Sequence, residues 1–302
     1  MLLSYCYLKS LKNLKSLVLD VSDGQRQPHN PKRFERISAK FFQFLQGTKL
    51  ERVRYQFQHE KTSPAQEVFN FPQLPSSLKS WVLFLSEKLK NIKNIEKLLN
   101  LSRLQGLVRF EMLTSLPLDL LNLALESITD QLKTLVFKVT LTENHCLEEI
   151  LSKARTLLAK YQGLEHLSIT SDAWIDLFSV NETPLYPWKL KSLEIQTRVP
   201  DGENLKKLKE VIGSQQECIE SLNLHLGFEK EPETFIEEVC DFSGLIGRLK
   251  RLKALKILFS IHVKPLKKEG EWFFSDLPTG VSEINALPIC PLLINVMNEL
   301  KD

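Results

Sequence analysis

The chain has 302 residues, 43% of them hydrophobic and 25% charged, with a formal net charge of +3. That composition suits a soluble globular protein with a large buried core, and so slight a cationic excess does not by itself argue for nucleic acid. No run approaches the roughly 18 uninterrupted apolar residues of a membrane span, and the apolar start Met1–Leu8 is broken at once by Lys9, Lys12 and Lys15 with no small-residue cleavage site after it, so neither membrane insertion nor a secretory leader is expected. Cys6, Cys146, Cys218, Cys240 and Cys290 are odd in number and far apart, with no CxxC pair. They read as buried thiols in a reducing compartment, and the expectation is an intracellular, cytoplasmic protein, with the nucleus as the alternative.

Along the chain one phrase recurs: Leu, two residues, apolar, one residue, apolar. Before its first occurrence, residues 1–13 read as a leading half-repeat. The phrase begins at Leu14 (LKSLVL), Leu50 (LERVRY), Leu78 (LKSWVL), Leu107 (LVRFEM), Leu132 (LKTLVF), Leu164 (LEHLSI), Leu190 (LKSLEI), Ile219 (IESLNL), Leu252 (LKALKI) and Ile284 (INALPI). The nine intervals run from 25 to 36 residues with a mean of 30. Alternation at the fourth to sixth positions predicts a strand with one buried and one wet face. Between phrases lie amphipathic stretches that predict helices over Phe34–Gly47, Glu87–Arg103, Asn144–Gly163, Glu203–Cys218 and Thr234–Lys250. In Asn144–Gly163 the apolar residues Leu147, Ile150, Leu151, Ala154, Leu157, Leu158 and Tyr161 share one stripe, and Gly163 suits the stop. Three polar or aromatic stretches break the rhythm at Val21–Arg33, Gln58–Ser77 and Ser171–Trp188; loops of this kind either tuck onto the molecule or carry contacts. Pro288 in the last phrase predicts an edge strand, and residues 290–302 a C-terminal cap.

One strand and one helix cannot bury both apolar faces alone, so stacked units must share a core. The pattern from Leu14 to about Ile289 resembles the leucine-rich-repeat family, and its long helical units resemble the ribonuclease-inhibitor-like class. The resemblance implies an α/β fold: a curved horseshoe of about ten repeats, with an inner parallel sheet and outer helices, as a single domain over 1–302. The sequence departs from the family at the ninth position of the phrase. Where the family places Asn or Cys, this chain has Ser22, Gln58, Ser86, Ser115, Thr140, Asp172, Arg198, Gly227 and Ser260. A distorted solenoid with some very short strands is therefore expected.

In this register positions three, five and seven of each phrase face the groove. Val82, Phe84 and Leu113 with Arg52, Arg54 and Arg109 then form a mixed apolar and basic patch, the composition of binding hot spots. Lys138, His166 and His225 complete the candidate partner-binding set. Arg248, Lys250, Arg251 and Lys253 open the most basic stretch, 248–268, a candidate anion site unless the charges point apart. No phosphate-binding glycine loop, GxSxG or HExxH occurs, so neither an enzyme nor a cofactor is expected. The function that follows is a non-catalytic protein-binding scaffold, a subunit of a larger assembly. The alternatives are a substrate-recognition subunit of a ubiquitin ligase, disfavoured because only about ten residues precede the first phrase, and a nucleic-acid-binding subunit acting through 248–268.

Overall fold

The computed structural model describes residues 14–22, 48–58, 74–85, 101–128, 130–140, 147–171, 188–199, 202–228 and 244–261. The described strands are β1 (Ser16–Ser22), β2 (Arg52–Gln58), β3 (Ser80–Leu85), β4 (Arg109–Pro117), β5 (Thr134–Thr140), β6 (His166–Ser171), β7 (Ser192–Val199), β8 (Ser221–Phe228) and β9 (Ala254–Ile261). The described helices are α1 (Leu118–Ser127), α2 (Leu147–Ala159) and α3 (Gly202–Ser214). The chain divides into two compact units, 1–142 and 143–302. In the first, β1 to β5 pair in chain order, all parallel. In the second, β6 to β9 do the same. The protein is therefore an α/β protein of repeated parallel strands.

Each of these nine strands begins at the third position of a phrase. The phrase's apolar anchors explain why. Its first residue is fully buried in seven repeats, from Leu50 to Ile219, and half-buried at Leu14 and Leu252. The fourth and sixth positions supply the rest of the core: Val53 and Tyr55, Trp81 and Leu83, Phe110 and Met112, Leu135 and Phe137 in the first unit. In the second unit they are Leu167 and Ile169, Leu193 and Ile195, Leu222 and Leu224. Each such side chain contributes about 1.5–3 kcal/mol by leaving water, which outweighs any other local preference for where the strand starts.

The backbone repeats as strictly as the anchors. At each of seven junctions the carbonyl of the phrase's second residue accepts two bonds, from the N–H groups of the second and third residues one repeat on. Thus Glu51 O accepts from Lys79 and Ser80 at 2.8 and 2.9 Å, and Lys191 O accepts from Glu220 and Ser221 at 2.8 and 2.9 Å. The second-position side chains alternate in charge where they meet. Lys79 lies 3.6 Å from Glu51, Lys191 2.6 Å from Glu165 and Lys253 2.7 Å from Glu220. The hydrogen bond from Lys191 to Glu165 raises the lysine pKa, and the bond from Lys253 lowers that of Glu220.

Ahead of several strands the chain makes consecutive tight turns. Leu104 N–H donates to Leu101 O and Leu107 N–H to Leu104 O, at 2.8 and 3.0 Å; Leu158, Tyr161 and Leu164 follow the same path. The segment ahead of the strand is tied down by side chains of the following repeat. Ser127 Oγ accepts from Leu101 N–H at 2.9 Å, and Gln215 Oε1 from Leu190 N–H at 3.1 Å. Trp188 Nε1 donates to Leu158 O at 3.2 Å and Ser77 Oγ to Leu50 O at 2.8 Å. These bonds satisfy backbone groups that burial would otherwise strand.

Several expectations change. Helices α2 and α3 end at Ala159 and Ser214, about one turn before Gly163 and Cys218. The three-residue spacing of the corner turns imitates a helical stripe, which is why the sequence overextends them. For the same reason only residues 244–246 are helical in the described part of Thr234–Lys250. Helix α1 was not expected at all. Its run LDLLNLALES follows β4 directly, with Pro117 at the N-cap and no capping side chain, so its start carries no capping signal in the sequence. The strands are six to nine residues long rather than very short. Without Asn to turn the chain at the ninth position, β5, β7 and β8 run on through Thr140, Arg198 and Gly227. The leading half-repeat, the helices over 34–47 and 87–100, most of the three interrupting stretches, the tenth phrase and the terminal cap lie outside the described residues.

Candidate functional site

Each unit presents one sheet face made from positions three, five and seven, opposite the buried anchors. In the first unit the register brings three rows together. Ser16, Arg52, Ser80, Arg109 and Thr134 stand level across five strands, as do Val18, Arg54, Val82, Glu111 and Val136. Gln56 and Phe84 begin the third row. Val18 is 65% exposed, the most exposed large hydrophobic residue among those described. Arg52 and Arg54 are exposed on β2, and Val82 and Phe84 are half-buried beside them. These four sequence candidates are therefore neighbours.

The other candidates of that unit are not. Arg109 is held within its own strand, where its Nε donates to Glu111 Oε1 at 2.6 Å and its guanidinium forms the ion pair. Leu113 does not follow the expected alternation. The β4–β5 register jumps between Met112 and Ser115, so Lys138 pairs with Ser115 instead of Leu113. In that bulge Leu113 is half-buried and Thr114 is 3% exposed. A bulge re-aims the side chains that follow it, and no residue type near Leu113 announced one.

The second unit's face is built differently. Its rows read His166, Ser192, Ser221, Ala254; then Ser168, Glu194, Asn223, Lys256; then Thr170, Gln196, His225, Leu258. Glu194 is tied to both neighbouring strands: Ser168 Oγ donates to its Oε2 at 3.0 Å and Asn223 Nδ2 to its Oε1 at 2.6 Å. His166 and His225 share this face but differ by two strands and four residues along the strand, a backbone separation of about 16 Å. No single ligand atom spans them. Among the described residues no group of three or more His, Cys, Asp or Glu is placed to hold a metal ion, and no helix is long and apolar enough to cross a membrane.

The basic stretch is partly neutralised. Lys250 lies 2.8 Å from Glu217, and Lys253 pairs with Glu220. Arg248 and Arg251 are exposed in the turn that leads to β9; the remainder of 248–268 beyond Ile261 lies outside the described residues. No protein-family model matches the chain, and no curated protein matches it.

Proposed function

We propose that this protein is a leucine-rich-repeat solenoid that acts as a non-catalytic protein-binding scaffold, a subunit of a larger intracellular assembly. The observation that carries the reading is the face of the first unit, where exposed Val18, Arg52 and Arg54 adjoin Val82 and Phe84 on three paired strands. A rigid sheet offers these groups preformed, which spares a partner much of the ordering cost of association. Apolar side chains bordered by arginine are the composition that carries binding energy at protein interfaces. The pairing of Lys250 and Lys253 with glutamates disfavours phosphate binding at the basic stretch.

The test is isolation of the tagged protein from its native source, with a high-salt wash. A stoichiometric protein partner that survives the wash is expected. Recovery alone, or with nucleic acid that salt releases, overturns the scaffold reading and moves attention to Arg248 and Arg251.

A further inference from the structure

We infer that the three-strand patch centred on β2 takes an extended, acidic protein segment, seating an apolar side chain against one of its valines and carboxylates on Arg52 and Arg54. This rests on the protein-binding reading and names the partner's chemistry. Arg52 and Arg54 stand two residues apart on one face of one strand, so their backbones are about 7 Å apart. Neither makes an ion pair or side-chain hydrogen bond among the described residues. Two like charges at that spacing repel unless an anion lies between them.

Some surface cations of the chain are closed by its own carboxylates. Glu111 closes Arg109 on this same face, Glu51 closes Lys79, and Glu220 closes Lys253. At Arg52 and Arg54 it supplies neighbours of a different kind. Arg54 is level with Val18 on one side and Val82 on the other; Arg52 is level with Ser16 and Ser80. The valines are open to solvent on the free face; a bound segment that covers them would shield the carboxylate–guanidinium bond from water. The serines offer hydroxyls to a polar backbone. Single-stranded nucleic acid fits less well: its bases stack on exposed aromatic platforms, whereas the groups level with Arg54 are aliphatic and Phe84 is half-buried.

Random peptides selected on the full-length chain test the inference, with parallel selection on the Arg52→Gln/Arg54→Gln double variant. Both arginines are exposed, so the melting temperature of that variant should match the parent's and certifies its fold. The expected peptides carry Asp or Glu on either side of an aliphatic residue and bind the double variant at least about tenfold more weakly. Val18→Asp, which places a carboxylate beside Arg54, should weaken them too. Peptides without acidic residues, or equally strong binding to the double variant, overturn the inference while leaving the scaffold reading intact. So does an RNA oligonucleotide that displaces the peptides. Failure to select any peptide, together with no co-purifying protein, overturns both.

Discussion

The two units share a backbone and differ in both layers of side chains. In the first, four of the eight fourth- and sixth-position anchors on β2 to β5 are aromatic: Tyr55, Trp81, Phe110 and Phe137. In the second, the corresponding anchors on β6 to β9 are all Leu or Ile. The open faces diverge in parallel. The second unit ties its central charge, Glu194, to the strands on either side, whereas the first leaves Arg52 and Arg54 unpaired among the described residues. The comparison teaches that stacking depends on the anchors and the two-bond carbonyls, which leaves positions three, five and seven open to specialise.

The largest expected effect lies in the aromatic core. Trp81 is 1% exposed and stacks on Tyr55 with ring centroids 6.5 Å apart, yet its Nε1 has no hydrogen-bond partner. Trp81→Ala should cost about 3–5 kcal/mol in denaturant unfolding. Trp81→Phe should stay within about 1 kcal/mol, because it removes the stranded N–H along with some packing. A larger loss for the Phe variant would mean that the indole nitrogen is satisfied after all. Next comes the second unit's corner. Gln215 is 4% exposed, and Gln215→Leu should cost about 1–3 kcal/mol by leaving Leu190 N–H without its acceptor. An unchanged unfolding midpoint would show that corner bonds contribute nothing to stacking.

A matched pair of tyrosines sharpens the comparison through pH. Burial pushes the phenols of Tyr55 and Tyr161 well above their ordinary 10.0. The folded state keeps protons that the unfolded state releases, so stability is complete below pH of about 10 and falls as pH rises above it. Tyr55→Phe and Tyr161→Phe should each flatten that alkaline decline in melting temperature, one reporting on each unit. The smallest effects belong to the faces. Glu194→Ala should cost no more than about 1 kcal/mol through its two cross-strand bonds, and Arg54→Ala should fall within about 0.5 kcal/mol of zero. Equal losses at the two sites would erase the distinction between a closed face and a receptive one.

Strand starts, the parallel order within each unit, and the neighbouring of Arg52, Arg54, Val82 and Phe84 were all legible in the sequence. Strand starts and facing follow from period-two alternation anchored by leucine, a local signal that repeats; the parallel order was what the repeat resemblance implied. Helix ends were not legible, because a buried Leu-x-x-Leu turn and a helical stripe have nearly the same spacing until the backbone bonds are known. Nor was the pairing of Arg109 with Glu111: alternation places both on one face, but only the three-dimensional arrangement shows that the two side chains meet. The shift of Lys138 away from Leu113 depended on a bulge with no local residue signature. The neutralisation of Lys250 and Lys253 joins residues 33 apart. Composition and spacing determine which residues face outward; the register between strands and the side-chain contacts across repeats decide which of those residues are left free to bind.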